Sequence, residues 1–131
     1  MQTRTKNSLC GLLLAAACAA GATTASAASL ECGGIGSEDS RRMLGERAGQ
    51  SATLVFASRS GAYVSGVRTR VVDAEGREVA TADCGPIGQL NVDDSGRYHV
   101  HAEHGGERLE QALDLTPRGG AHVVLRFQDE E

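Results

Sequence analysis

Apolar and polar residues alternate most cleanly from Arg97 to Glu103. There Tyr98, Val100 and Ala102 alternate with Arg97, His99, His101 and Glu103. A period of two predicts a strand with one buried face. Ala52, Leu54, Val55, Phe56 and Ala57 form a nearly continuous apolar run, which predicts a strand covered on both sides. Val67 to Asp83 reads as a hairpin around Asp73-Ala74-Glu75-Gly76-Arg77, with Gly76 at the left-handed position of a bulged turn. That turn sets Val71 opposite Val79 and Thr69 opposite Thr81, with Arg68 and Arg70 outside. Ile87 to Val92 predicts a further strand. So does the segment around Leu109, Leu113 and Leu115, where Gln111 shares the inward parity of the leucines. Val123, Leu125 and Phe127 mark the last strand.

Ahead of these, Glu31 to Ser37 holds Cys32 and three glycines and predicts an irregular lead-in. Ser37 is placed to cap a short helix that turns Met43 and Leu44 inward and Arg41 and Arg42 outward. About seven short strands with regular turn signals predict an all-β fold, a single antiparallel β-sandwich with a short N-terminal helix. The only aromatics are Phe56, Tyr63, Tyr98 and Phe127, both tyrosines on buried parities, so the core is aliphatic.

The first residues belong to a different pattern. Arg4 and Lys6 precede an apolar run from Leu12 to Ala20, and Ala25-Ser26-Ala27 supplies a small-residue cleavage site, the signature of a secretory leader over residues 1–27. A rival reading lipidates Cys18. The run is shorter than the roughly 20 residues a spanning helix needs. Removing 27 of 131 residues leaves 104, enough for one domain: a lead-in at 28–50, the sandwich at 51–128 and an acidic tail at 129–131 that should fray.

Cleavage takes both Arg4 and Lys6, so the net charge moves from −4 to −6 and no lysine remains. An acidic chain without a basic stripe is a poor match for nucleic acid or an anionic membrane. Cys32 and Cys84 are the two cysteines left, and in an exported protein they predict one disulfide. The expected location is the periplasm or the cell exterior.

Several stretches carry a resemblance. They are Gly33-Gly34-Ile35-Gly36, Leu54-Val55-Phe56, Gly61-x-Tyr63-Val64-Ser65, Val71-x-Asp73-x-x-Gly76, Gly85-Pro86 and Gly96-x-Tyr98-x-Val100-x-Ala102-x-x-Gly105-Gly106. Together they resemble small exported proteobacterial proteins of the carboxypeptidase regulatory-like kind. The resemblance implies a transthyretin-like sandwich that accompanies or supports other proteins, with no catalytic activity of its own. Asp93-Asp94-Ser95 departs from the pattern, which has an apolar residue and proline in that turn, and the Cys32/Cys84 pair is not part of it.

For chemistry, His99 and His101 project from one face of strand 97–103, with His104 just beyond. Imidazoles in that pattern suit zinc, copper or nickel. Solvated histidines on a sheet face are the plainer reading. No Gly-x-Ser-x-Gly elbow, phosphate-binding glycine loop or His-Glu-x-x-His motif occurs, so the expectation is a module that is not an enzyme. Its expected partner is another envelope protein, met at a sheet edge or end loops, with transition-metal binding as the alternative.

Overall fold

A computed structural model describes residues 28–129. The leader with Cys18, and Glu130 and Glu131 of the tail, lie outside them. Eight strands form two four-stranded sheets around one core. In the first sheet the order is β1 (Ala28–Gly33), β5 (Ile87–Val92), β2 (Ala52–Ser58), β8 (Ala121–Phe127); in the second it is β4 (Glu78–Cys84), β3 (Val67–Val72), β6 (Gly96–His104), β7 (Glu107–Leu115). Helix α1 (Ser37–Gly45) and a 3-10 turn (Arg47–Gly49) lie between β1 and β2. The sandwich is all-β, as the periodicities require.

Its core joins the inner faces of both sheets: Leu54, Phe56, Leu90, Leu125 and Phe127 meet Val67, Val71, Tyr98, Val100 and Leu115. All seven residues of β2 are buried. Their second face is covered because Met43 of α1 sits over the outer side of the first sheet, and the Gln89 amide donates to the Met43 carbonyl and to Glu46.

Six local expectations are corrected. Ala28–Gly33 is a strand and not an irregular lead-in: it pairs with β5 over six residues, from Ala28 opposite Val92 to Gly33 opposite Ile87. The sandwich therefore starts well before residue 51. The alternation of Ala28, Leu30 and Cys32 with exposed Ser29 and Glu31 carried that strand, and the nearby glycines obscured it. Ser37 does not cap α1; its N-cap is Gly36, without a side-chain cap. The backbone N–H of Gly34 instead donates to the Asp39 carboxylate at 2.7 Å, tying β1 to the helix.

The hairpin between β3 and β4 forms, but its register is one residue off. Val71 stands opposite Ala80 and Thr69 opposite Ala82, because the ladder shifts between Val71 and Val72. An extra residue, Val79, enters β4 there, and a bulge of this kind reverses the parity of everything beyond it. Gly76 takes the left-handed φ of 86° that the turn needs, and the turn is bonded by Asp73, whose carboxylate accepts from the backbone N–H of Glu75 and Arg77.

Tyr98 is buried and donates its hydroxyl to the Asp94 carbonyl at 2.8 Å. Tyr63 is 52% exposed, because it lies in the connection after β2 and is held there by a single bridge to Ala57. The antiparallel rule also has one exception. β8 runs parallel to β2, since it enters the first sheet by crossing from β7 in the second and no hairpin sets its direction. At the tail, Asp129 is held, not frayed: its carboxylate accepts from the Ser60 backbone N–H at 3.1 Å.

Candidate functional site

Hairpin β6–β7 positions most of the polar groups on the outer face of the second sheet. Its two-residue turn, Gly105-Gly106, fixes the pairing of His104 with Glu107, and from there His101 with Glu110, His99 with Ala112 and Arg97 with Asp114. Glu110 lies between the two outward histidines, with its carboxylate oxygens 3.4 Å from His99 Nδ1 and 3.9 Å from His101 Nδ1. The His99 nitrogen is covered, yet it lacks the alignment of a hydrogen bond to Glu110.

His104 does not join them. Positions 99 and 101 share one face of β6, whereas position 104 has the opposite parity. Its ring lies edge-on to Phe127 at 5.6 Å, and Nδ1 is 3.4 Å from the Gly66 carbonyl oxygen. His122 is on β8 in the other sheet. The three histidines of the metal expectation are thus not brought together, and among the described residues no group of three or more His, Cys, Asp or Glu is arranged to hold a metal ion.

Around the histidines the same face is a lattice of charges. Arg97 makes two hydrogen bonds to Asp114, at 2.9 and 3.1 Å, which hold that carboxyl below the usual aspartate range. Arg108 lies 3.7 Å from Glu103. Arg68 and Arg70 hold no ion pair among the described residues. They line a shallow, open depression with Thr81, His101 and Glu103.

The two lateral sides of the sandwich differ sharply. On one side β1 and β4 are the sheet edges, and the Cys32–Cys84 disulfide joins them with a Cα separation of 4.9 Å. Gly88 lies under that bridge, where an added Cβ would come within 3.3 Å of both the Cys84 sulfur and Leu30. On the other side the edges are β7 and β8. Leu109, Leu113, Ala121 and Val123 are only partly buried there, and Val124 is 40% exposed. At one end the Gln128 N–H donates to Glu107 across the gap.

β7 pairs on one side only, through nine consecutive residues with no register shift. It contains no proline, lysine or bulge, three of the devices that guard an edge, and its charged residues are Glu107, Arg108, Glu110 and Asp114. Sequence reasoning missed Glu110 as the neighbour of both histidines and missed the open edge. The Gly-Gly turn carried the signal for the first. The second needed the strand order, which local pattern does not encode.

The chain matches no family model and none of the curated proteins.

Proposed function

We propose that the protein is a non-catalytic exported module that receives another polypeptide chain along the open side formed by β7 and β8. One observation carries this reading: a disulfide joins the β1 and β4 edges, while the β7 edge is long, regular and free of proline, lysine and bulge. An unpaired strand offers a row of backbone donors and acceptors, and adding a strand satisfies them while covering the half-buried Leu109 and Leu113. The disulfide fits an oxidising compartment outside the cytoplasm. Among the described residues no helix is long and apolar enough to cross a membrane. Export through the leader, and kinship with the carboxypeptidase regulatory-like modules that support other envelope proteins, belong to the same proposal.

The test is a photo-crosslinking residue placed at Gln111 on β7 and, separately, at Thr81 on β4, in the protein exported by living cells. Cross-linking to a polypeptide from position 111, lost on substituting Leu113→Lys, is the expected result. Equal capture from position 81, or none from 111, refutes the reading.

A further inference from the structure

The sequence of β7 specifies its own occupant. We infer that a second copy of this chain pairs antiparallel on β7 about a twofold axis through Gln111, joining two four-stranded sheets into one of eight strands; this rests on the reading of β7 as the docking edge. With the axis at Gln111, Leu109 stands opposite Leu113 of the second copy and Arg108 opposite its Asp114, each pair occurring twice. Glu110 meets Ala112, and the two Gln111 side chains face each other. On the inner face Leu109 thus meets Leu113, and on the outer face Arg108 meets Asp114, pairs of the kind that stabilise antiparallel strands, while Glu107 stands opposite Leu115 at the ends of the seam.

The charge pattern continues beyond the seam. Arg68, Glu103 and Arg108 lie in one row across β3, β6 and β7. The row then runs into Asp114 and Arg97 of the second copy, which are cross-strand partners, so the signs alternate through five strands. The two neighbouring registers fail on the same residues, and an axis at Leu109 pairs only residues 107–111 of the strand. An axis at Ala112 sets Glu110 against Asp114, and an axis at Glu110 sets that carboxylate against its own copy. A register centred between residues would place inward side chains opposite outward ones, which the pleat forbids. The Gln111 axis also pairs all nine residues of the strand. It accounts for a feature that is odd in a single copy: Gln111 has the inward parity of Leu109 and Leu113, yet it is exposed.

The experiment is sedimentation equilibrium of the exported protein with a charge exchange. The parent protein is expected to dimerise. Arg108→Asp or Asp114→Arg alone should weaken the dimer by about tenfold or more, since each places like charges opposite one another at two symmetric positions. The double variant should recover affinity to within a few-fold of the parent.

A second variant, Gln111→Cys, should form a covalent dimer on oxidation, because opposed residues of an antiparallel pair stand within disulfide reach; Thr81→Cys should not. Circular dichroism melting of each variant checks that the sandwich is intact. A parent protein that stays monomeric at high concentration, or an exchange variant no better than the single ones, overturns self-pairing. If position 111 then still cross-links to a different polypeptide, the docking edge stands and only its occupant is wrong. If it cross-links to nothing, both readings fall.

Discussion

The two lateral sides of this sandwich have the same layered construction and opposite finishes. Where β1 lies over β4, two cysteines join the edges covalently and a glycine makes room beneath the bridge. Where β7 lies by β8, leucine and valine side chains stop half-covered, and the Gln128 backbone N–H donates to Glu107 across the gap. A small aliphatic core has little surplus stability, so closing one side covalently allows the other to remain unfinished. The difference teaches that the covalent bridge and the half-covered side chains lie on opposite sides of the fold.

Breaking the closed side should have the largest effect. Replacing Cys32 and Cys84 by serine, read by urea denaturation, should cost about 4 kcal/mol, because the bridge closes a separation of 52 residues in the unfolded chain. Gly85→Ala, next to the bridge, should cost about 3 kcal/mol by the same measurement: a Cβ would fall 2.5 Å from Ser65 Cα and the Val64 carbonyl oxygen, at a φ of 130° that side chains avoid. On the open side Leu113→Ala should cost a lone copy only about 1 kcal/mol, since a half-exposed leucine has less to lose than a core one. Its weakening of association, read by sedimentation, should be the clearer effect.

Acid should sharpen the contrast by a smaller amount. Asp73, 5% exposed, has its carboxyl held below the usual aspartate range, first by the Arg77 backbone N–H. A depressed value means that the carboxylate stabilises the fold above about pH 4, the ordinary range, and that this contribution fades as pH falls through the depressed value. Asp73→Asn should therefore lower the midpoint of urea unfolding at neutral pH, with the gap to the parent protein narrowing in acid. Asp114→Asn on the open side should show less of this, because Asp114 is 74% exposed and held by an arginine that is itself exposed.

Much of the fold was legible because β-periodicity was strong where a strand had one wet face, as in β6 and β8. The doubly covered β2 was legible from its continuous apolar run, and the disulfide followed from counting the two cysteines left once the expected leader is set aside. Other features depended on contacts distant in sequence. β1 needed β5 as a partner, and the Val79 bulge needed β3 to reveal it. Tyr63 had the right parity for burial but left the sheet. Of the candidate site, the outward parity of His99 and His101 was readable. Their separation from His104 followed from the same parity and was hidden by nearness along the chain. The open edge was invisible because strand order is set by tertiary packing, although the Leu109/Leu113 and Arg108/Asp114 pairs that flank Gln111 stand in the sequence.

The most direct test is amide hydrogen exchange of the protein at two concentrations, one below and one above the proposed association. The account predicts that outward-pointing amides of β7, Glu107–Leu115, slow markedly at the higher concentration, while the edge amides of β1 and β4 exchange alike at both. Exchange in β7 that ignores concentration, or slowing that falls equally on β1 and β4, would contradict it.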